Sequence, residues 1–388
     1  MRGHIKEVLR TLRLGPSVRG LRRWGWWIVD AIGGIYFTLL RLAGVVPPCK
    51  RIERSRIARV LIIRIDRIGD LILSTPAIKA VRNTFPDAEI HLLVSEYDRD
   101  LVMHNPNLNK ILIHKKDVVD SDYDLAIALH PCILQNRLTF RSGAEWRVGY
   151  TGWGGGFFLT HKLKDDRAVR VRHEVESALK VVKEAGCEIK DKKLEISVTE
   201  EGERFAEDFF KKNFLMNSDL IITIHPGARQ EYIRWRKEGF AEVSDKLIKQ
   251  NAKVILIGGK EEKQLVEATG SLMEGKPLFA IGLRLTQLIS LIKRSDLFIG
   301  NSTGPMHIAA ALKVPVVAVF GPVHPLDSYK EWGPWGEGHT VVSKNLDCPE
   351  CHPTDCRTFD CMRLITVEDV MEAVRVQLGK IKELSVKG

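Results

Sequence analysis

Several features are absent from this 388-residue sequence, and each absence disfavours a class of protein. There is no Gly-x-Gly-x-x-Gly turn and no Gly-Lys-Ser/Thr loop, which disfavours dinucleotide oxidoreduction and P-loop phosphoryl transfer. No apolar run reaches the roughly 20 residues without charge that a membrane-spanning helix needs. A secretory cleavage site, internal repeats and low-complexity tracts are also lacking. A globular chain remains, and two domains are expected at this length.

Basic residues are distributed unevenly along the chain. Residues 1–59 contain thirteen Lys/Arg and three Asp/Glu, a formal charge of +10 that equals the net charge of the whole protein. Residues 60–388 contain 46 residues of each sign and are therefore neutral. A nucleic-acid groove would need its positive charge within the folded domains, so nucleic acid is not an expected partner.

The basic N-terminal segment is also rich in tryptophan. Its apolar stretch, 24–40, is short and is interrupted by Asp30 and Gly33. Aromatic residues beside basic ones are typical of helices that lie on an anionic membrane surface, and this location is predicted here. The alternative is an amphipathic helix packed on its own domain. The residues assigned to the membrane boundary are Trp24, Trp26, Trp27, Ile28, Tyr36 and Phe37.

From Val60 onward, β-rich runs alternate with helical stretches in two successive series. This rhythm predicts an α/β protein with two Rossmann-like domains that face each other across a cleft. The charged region 172–214 is interpreted as a connector with solvent-facing helices. Strand candidates lie at 60–65, 89–94, 110–114 and 124–129, and then at 220–227, 253–259, 296–304 and 314–322. The predicted divisions are 1–56 (basic segment), 57–190 (N-terminal domain), 191–217 (helical linker), 218–345 (C-terminal domain) and 346–388 (cysteine cluster and last helix).

The first candidate site follows the first strand, where the sequence RIDRIGDLILSTP opens a helix. Gly69 suits the tight turn, and the helix dipole and free amides are expected to keep Asp70 ionised. An ionised carboxylate at a cleft edge can act as a general base, whereas a simple N-cap is the alternative. Pro76 lacks an amide donor and clashes with the carbonyl of Ile72, so a break in the helix is predicted.

The second candidate site is the turn Ser302-Thr303-Gly304-Pro305, which follows a strand of the second series. Pro305 suits the first turn of a helix. Free amides and two hydroxyl groups at a helix start form an anion site suited to a pyrophosphate, and a capped helix without a ligand is the alternative. His307, one turn later, belongs either to this site or to the inner face of the helix.

The third candidate site follows the strand that ends in the sequence IHPG. His225 and Gly227 stand at the strand end, and Arg234 lies in a basic loop that can neutralise a leaving diphosphate. A solvated charged loop is the alternative. Trp235 among the basic residues disfavours that alternative, because its ring needs a surface to pack on.

Four of the seven cysteines fall within fourteen residues, with the spacing Cys-x2-Cys-x4-Cys-x4-Cys. Four thiols this close can bind a structural zinc ion or form two disulfides. The Asp-x-Asp pairs at 120–124 are not interpreted as a metal site, because nothing else supports one. The clustered cysteines are Cys348, Cys351, Cys356 and Cys361.

Taken in order, four stretches resemble the ADP-heptose:lipopolysaccharide heptosyltransferases, which are inverting glycosyltransferases of family 9 with the GT-B fold. The resemblance runs from about Arg59 to about Val374 and leaves the basic segment outside. The stretches are RIDRIGDLILSTPAIKAVRNTFPDAEIHLLV, IHPGARQEYIRWRKEGFAEV, SDLFIGNSTGPMHIAAALKVPVVAVFGPVHP and the cysteine cluster.

The resemblance implies that heptose is transferred from ADP-heptose to a Kdo or heptose unit of the lipopolysaccharide inner core. Asp70 matches the family's catalytic base, and no cofactor is implied for catalysis. The family commonly has lysine where Arg234 stands here, and often has aspartate at Ser302. Donor contacts are assigned to His225, Gly227, Arg234, Trp235, Ser302, Thr303, Gly304, Pro305 and His307. Acceptor contacts are assigned to Arg64, Arg67 and Gly69, which flank the base.

Two other functions stay open at this point. One is a GT-B transferase that uses another nucleotide sugar and another lipid-linked glycan. The other is a catalytically silent, membrane-associated binding protein, which the intact Gly69-Asp70 pair disfavours. The expected partners are a nucleotide-sugar donor, a lipid-linked acidic glycan and an anionic membrane surface. The expected location is the inner face of the bacterial cytoplasmic membrane.

Overall fold

The structure is a computed structural model, and it describes residues 17–44, 51–167, 169–324, 327–344, 346, 348, 351, 353 and 356–387. Residues 1–16 and 45–50 of the predicted basic segment lie outside the described residues. The described residues contain two six-stranded sheets, each built from one uninterrupted stretch of sequence. We call the first sheet, together with the helices that pack on it, the first half of the protein. The second sheet with its helices is the second half.

The first sheet has the spatial order β3-β2-β1-β4-β5-β6, and its strands are parallel. β1 and β4 pair at the centre, so side chains that follow these two strands meet at the carboxyl edge of the sheet. The strands are β1 Arg59–Arg64, β2 Glu89–Val94, β3 Lys110–Ile113, β4 Leu125–Ala128, β5 Trp146–Thr151 and β6 His161–Lys164.

The second sheet repeats this plan with the order β12-β11-β10-β7-β8-β9, again parallel. Here β7 and β10 pair at the centre, with His225 opposite Gly300. The strands are β7 Ile221–His225, β8 Lys253–Gly258, β9 Leu278–Ile281, β10 Leu297–Asn301, β11 Val316–Phe320 and β12 His339–Ser343.

Helices connect most of the successive strands, as is usual for parallel pairing. The helices are α1 Ser17–Leu42, α2 Ile68–Leu73, α3 Thr75–Thr84, α4 Arg99–Val102, α5 Ile133–Arg141, α6 Glu174–Glu184, α7 Glu200–Lys212, α8 Lys237–Ile248, α9 Lys263–Ser271, α10 Leu285–Lys293, α11 Gly304–Ala311, α12 Tyr329–Trp332, α13 Asp360–Arg363 and α14 Val367–Lys387. The last helix packs on α8, β11 and β12 of the second half.

All eight predicted strands are confirmed, but β5, β6, β9 and β12 were not predicted. The predicted break at Pro76 is also confirmed. α2 ends at Leu73, Ser74 bonds back to the last turn, and α3 starts with Pro76 in its first turn. The proline thereby closes a short helix that carries Asp70.

The interpretation of region 172–214 as solvent-facing is wrong for its first helix. α6 buries most of its apolar residues and also Glu174, and it packs against α3 and β5 of the first half. α7 is charged on its outer side and packs against α10 of the second half. The chain therefore passes from one half to the other between Cys187 and Glu200.

Candidate active site

The two halves meet where α2 faces α11. A Cβ atom on Gly69 would lie 2.6 Å from Cδ2 of His307, and one on Gly304 would lie 3.0 Å from Cγ2 of Ile68. A side chain at either glycine would push the two helices apart. The helix starts predicted to hold the base and the diphosphate are therefore neighbours in the structure.

Asp70 lies in the first turn of α2, and its side chain is 12% exposed. Burial raises the pKa of Asp70 to about 7; the charge of Arg64 opposes this shift, while Asp66 and Glu174 add to it. The helix start was expected to favour the ionised form of Asp70, but burial of the charge outweighs the favourable charges around it, so its pKa is raised. A carboxyl group that titrates near neutrality is well matched to proton transfer.

Arg64 is completely buried at the end of β1. Its Nη2 donates to Asp70 Oδ1 at 3.2 Å and to Glu174 Oε1 at 2.6 Å, and its Nε donates to the Asp70 carbonyl oxygen at 3.2 Å. Burial lowers the pKa of Arg64, but the carboxylates raise it above its usual value. The structure corrects the assignment of Arg64 to the acceptor, because its side chain is fully buried and its Nε and Nη2 donate to Asp70 and Glu174, while Nη1 has no hydrogen-bond partner among the described residues. Arg64 instead holds Asp70 in place.

Glu174, the first residue of α6, is a member of this cluster that was missed in the sequence. Its Oε1 pairs with Arg64, and its Oε2 accepts from Arg167 Nη1 at 3.0 Å. Arg167 in turn donates to both oxygens of Asp165, at 2.9 and 3.1 Å. A row of alternating charges thus runs inward from Asp70, and we call Arg64, Glu174 and Arg167 the buried charge row.

Asp66, Asp70 and His130 place their possible metal-ligand atoms within 4.8 Å of one another, and no other such group is found in the described part of the chain. However, Arg64 Nε lies 3.5 Å from Asp66 Oδ2, and Asp66 also accepts from Gln135 Nε2 at 2.9 Å. The guanidinium already supplies the positive charge between the two carboxylates. This geometry suits a general base better than a divalent cation.

The two other predicted acceptor residues flank Asp70 on α2. Arg67 is exposed at the N-cap position, and its charge lowers the pKa of Asp70. Gly69 is buried against His307. Contact of either residue with an acceptor stays a prediction, although packing alone accounts for the glycine.

The turn 302–305 is half-buried and leads into α11. Thr303 is the N-cap residue, its side chain makes no capping bond, and Pro305 lies in the first turn as predicted. The amide groups at this helix start are therefore not satisfied by a side chain, which suits an anion. Contact with a donor diphosphate stays a prediction.

Asn301, at the end of β10, is a second residue that was missed in the sequence. Its Oδ1 accepts from the backbone N–H of Trp235 at 3.0 Å, and its Nδ2 donates to the carbonyl oxygens of Pro226 and Gly227 at 3.1 and 3.0 Å. Its side chain is fully buried. One amide thus joins both ends of the loop between β7 and α8 to the turn before α11.

His225 bridges the second and third predicted sites. Its Nδ1 lies 3.0 Å from Thr303 Oγ1, and its Nε2 lies 3.0 Å from Glu262 Oε2. Burial raises the pKa of Glu262, but the hydrogen bond and charge of His225 lower it to about 2. Gly227 packs so closely that a Cβ atom there would lie 2.1 Å from Glu262 Oε1. Glu262 is thus held as an anion beside the turn, and it was not predicted.

Arg234 and Trp235 are neighbours in the basic loop and were both assigned to the donor, but their side chains have different surroundings. Arg234 is half-buried and donates from Nη2 to the Ala228 carbonyl oxygen at 2.9 Å. Trp235 is 1% exposed, and its Nε1 donates to the Ile365 carbonyl oxygen at 2.9 Å. The structure corrects the assignment of the Trp235 ring, which packs in the core where no donor reaches it. Contact of Arg234 with a donor stays a prediction.

His307 is buried where α11 faces α2, and burial lowers its pKa to about 3. Its Nδ1 has no hydrogen-bond partner among the described residues. The ring is therefore neutral and packs against Gly69. This placement favours the inner-face alternative over a charged contact with the donor.

A second contact between the halves lies beside the buried charge row. His173 Nε2 donates to the Gly333 carbonyl oxygen at 2.9 Å, and the rings of His173 and Trp335 contact each other with centroids 4.6 Å apart and a tilt of 39°. Arg167 Nη1 lies 3.6 Å from Glu331 Oε1, and burial raises the pKa of Glu331 to about 8. The buried charge row therefore connects Asp70 of the first half with Glu331 of the second half.

The four clustered cysteines line one pocket of about 300 Å³, next to Tyr232 and Phe359. Cys351, Cys356 and Cys361 are free thiols. Burial and the nearby cysteines raise the pKa of Cys361 to about 11. The four cysteines share this pocket, but among the described residues only the aspartate–histidine group has its possible ligand atoms within 4.8 Å of one another, so zinc binding at the cysteines stays a prediction.

Comparison with known proteins places this geometry in a family. Residues 111–360 match the sequence profile of glycosyltransferase family 9 (heptosyltransferase). The chain is 28% identical over 340 residues to lipopolysaccharide heptosyltransferase 3 of Escherichia coli K12, and the match covers 79% of this chain and 94% of the relative.

Two solved structures superpose on most of the chain. The glycosyltransferase family 9 structure from Veillonella parvula has a TM-score of 0.71 at 24% identity and covers 83% of this chain and 97% of that one. The E. coli ADP-heptose lps heptosyltransferase II has a TM-score of 0.69 at 20% identity, with coverage of 84% and 99%. The two parallel sheets and these neighbours show the GT-B fold, as predicted. The chain belongs to glycosyltransferase family 9, the heptosyltransferases.

Proposed function

We propose that the protein transfers heptose from ADP-heptose to the inner core of lipopolysaccharide, with inversion at the anomeric carbon. The supporting observation is the buried Asp70 carboxyl, which lies one residue from the contact between α2 and α11. The names of the relatives support the donor and the acceptor class. The acceptor is lipid-linked, so we place the reaction at the cytoplasmic face of the membrane that carries it.

The second half holds the donor in this proposal. The diphosphate lies at the start of α11, where backbone amides of the 302–305 turn donate to its oxygens. The guanidinium of Arg234 balances the charge that develops on the departing ADP. Asn301 and His225 act as positioning residues, because they fix the loops that carry these donors.

The first half holds the acceptor and the base. The Asp70 carboxylate takes the proton of the acceptor hydroxyl, and the oxygen attacks the anomeric carbon from the face opposite the diphosphate. The new C–O bond forms as the bond to the diphosphate breaks, so ADP leaves with the electron pair and the configuration inverts. With a pKa of about 7, a substantial fraction of Asp70 is ionised at neutral pH.

Neither step requires a metal in this proposal. Arg64 compensates the charge of Asp70, and backbone amides with Arg234 compensate the diphosphate. We expect EDTA to leave the initial rate within about twofold of the untreated enzyme, because no metal carries the leaving-group charge. A loss of activity that added Mg²⁺ restores would contradict the metal-independent mechanism.

The cysteine cluster is proposed to hold a structural zinc ion, because its four thiols line one pocket. Elemental analysis of the purified protein should then give about one zinc per chain. Chelation should lower the melting temperature without stopping turnover at low temperature. A metal-free protein of unchanged melting temperature would contradict this proposal.

The experiment that tests the function combines calorimetry with turnover of Asp70→Asn. We expect selective binding of ADP over UDP, GDP and CMP by both proteins, and a loss of turnover of about 10²–10⁴-fold in the variant. The NMR coupling of the anomeric proton in the product checks inversion. Preference for another nucleotide would mean that the donor is a sugar linked to that nucleotide. Retained turnover in the variant would show that Asp70 is not the catalytic base. No nucleotide binding would favour the silent binding protein.

A further inference from the structure

Helix α1 lies outside the family resemblance, and one of its faces is fixed to the first half. Phe37 is 6% exposed on this inner face. Asp30 Oδ1 accepts from the backbone N–H of Gly156 at 3.0 Å. The rings around Phe37, with centroids 5.2 to 5.4 Å away, belong to Phe140, Phe157 and Phe158. The helix is therefore held in one orientation relative to the body.

The contacts of α1 follow a helical stripe. Trp26 packs on Gly154, Asp30 on Gly156 and Gly33 on Phe157, which with Phe37 gives the spacing i, i+4, i+7, i+11. The structure corrects the assignment of Trp26 and Phe37 to a membrane boundary, because both face the protein. The side chains of Trp24 and Trp27 lie outside the described part.

The opposite face of α1 is apolar and uncovered. At about 100° per residue, its residues are centred roughly half a turn from the inner stripe. Their exposed fractions range from 37% for Val29 to 81% for Leu42. The outer stripe consists of Ile28, Val29, Ile32, Ile35, Tyr36, Leu39 and Leu42. An apolar face of this length needs a partner that covers it.

The net charge of the N-terminal segment selects the partner. The only acidic residue of α1 is Asp30, and its carboxylate is engaged on the inner face. Residues 1–59 carry a net charge of +10, which is the net charge of the whole protein. A second copy would bring two such segments together, whereas an anionic bilayer attracts both the charge and the apolar stripe. Among the described residues no helix is long and apolar enough to cross a membrane.

A groove of about 370 Å³ opens beside the outer stripe, between α1 and the edge strand β6. Ile35 and Leu39 belong both to its wall and to the stripe, and Arg41 and Lys162 are its cationic lining residues. Arg41 Nε is buried without a hydrogen-bond partner among the described residues. The groove therefore offers an apolar wall and two cationic lining side chains, Arg41 and Lys162, to a lipid with an anionic headgroup.

We propose that the outer stripe of α1 is the face by which this protein binds the surface of an anionic phospholipid bilayer, with one lipid headgroup at Arg41. The helix lies parallel to the surface with its apolar residues below the headgroups. Because the inner stripe packs on the first half, the first half then has a fixed orientation relative to the bilayer surface. The proposal adds a partner to the proposed function and does not depend on the transfer chemistry.

The test compares binding of the full-length protein to vesicles of phosphatidylcholine with and without 30% phosphatidylglycerol, by flotation. The variant is Ile32→Glu/Leu39→Glu, whose two positions are more than half exposed, so the fold tolerates the change. Its matched control is Val118→Glu/Val169→Glu, two strongly exposed valines away from α1. We expect the stripe variant to lose anionic-vesicle binding by more than about tenfold and the control to bind like wild type. Circular dichroism checks that both remain folded.

Other outcomes would overturn the proposal. Wild-type-like binding by the stripe variant would remove the stripe from the interface, and equal binding to neutral vesicles would remove the role of charge. The wild type could instead form a dimer in light scattering that the stripe variant does not form, with neither protein binding vesicles. That result would mean that a second copy of the chain covers the outer stripe. Calorimetric ADP binding, measured in parallel without vesicles, reports on the proposed function separately.

Discussion

The two halves of the candidate site hold their working groups by different means. Around Asp70, the first half uses full charges: Arg64 is completely buried between carboxylates, and Glu174 ties it to Arg167. Around the 302–305 turn, the second half relies mainly on neutral groups, with the Asn301 amide joining both ends of the β7–α8 loop to the turn. The half proposed to move a proton is thus the half with charges arranged around a titrating group. The half proposed to hold an anion presents backbone donors at a helix start.

This contrast has an energetic consequence. A buried charge that loses its partner costs more than a neutral amide that loses one, because its desolvation is not repaid elsewhere. A buried charge also changes the pKa of its neighbours, which a neutral amide scarcely does. Substitutions in the first half should therefore affect both stability and pH dependence. Substitutions in the second half should affect stability and nucleotide binding alone.

The largest effect is expected from Arg64→Leu, which leaves Asp70 and Glu174 without their shared cation. The free energy of unfolding should fall by about 3–5 kcal/mol. Urea denaturation at pH 7 measures this loss. Arg67→Leu is the matched control, because Arg67 is exposed, and it should change stability by less than about 1 kcal/mol. Equal effects of the two substitutions would contradict the role of the buried cation.

Asn301→Ala should be second in size. It removes one acceptor and two donated hydrogen bonds in a buried place, and the unfolding free energy should fall by about 2–3 kcal/mol. Calorimetry should show weaker ADP binding, because the loops of the donor site lose their common anchor. The pH at which turnover reaches half its maximum should not move. A shift of that pH would show that the second half also tunes the base.

Gly69→Ala tests the contact between the halves. The added Cβ atom would lie 2.6 Å from His307 Cδ2, so we expect a loss of about 1–3 kcal/mol in stability, together with lower turnover. In the His307→Ala background the added methyl group has room, and the penalty should shrink by at least half. A penalty that is the same in both backgrounds in thermal unfolding would contradict the contact.

The smallest change in turnover at neutral pH is expected from Glu174→Gln, which keeps the shape of the side chain and removes its charge, although the loss of a buried partner for Arg64 and Arg167 should also lower stability. The negative charge of Glu174 raises the pKa of Asp70, so its removal lowers that pKa. Wild-type kcat/KM should rise with pH through about 7 as Asp70 ionises, and the variant should make this rise at lower pH. Asn301→Ala is the control with an unchanged profile. A shift to higher pH would refute the direction of the coupling.

Much of the fold could be predicted because central strands carry strong local signals. β1, β2, β7 and β10 are runs of buried β-branched or aliphatic residues followed by glycine or polar turns. The unpredicted strands lack that pattern. In each sheet they include an edge strand, such as β6 with the sequence HKLK, whose pairing depends on a neighbour distant in sequence.

The candidate site divides in the same way. Asp70 and the 302–305 turn follow strands directly, so position along the chain identified them. Glu174 and Asn301 could not be identified, because their importance comes from partners as far as 110 and 75 residues away. The correction of Arg64 and Trp235 has the same origin. Sequence shows that a side chain is charged or large, but not whether the folded protein has already engaged it.

The uninterrupted origin of each sheet has a consequence during synthesis. The first sheet is complete at Lys164, whereas the second needs the chain as far as Ser343. At about 5–20 residues per second, the ribosome takes roughly 10–40 s to make the residues between. During that interval α11 and Glu331 have not yet been made. α2 therefore lacks the helix on which it packs, and Arg167 lacks its contact with Glu331. Every new molecule therefore passes through a stage in which the Asp70 region is open to water, until α11 has been made and can pack on α2.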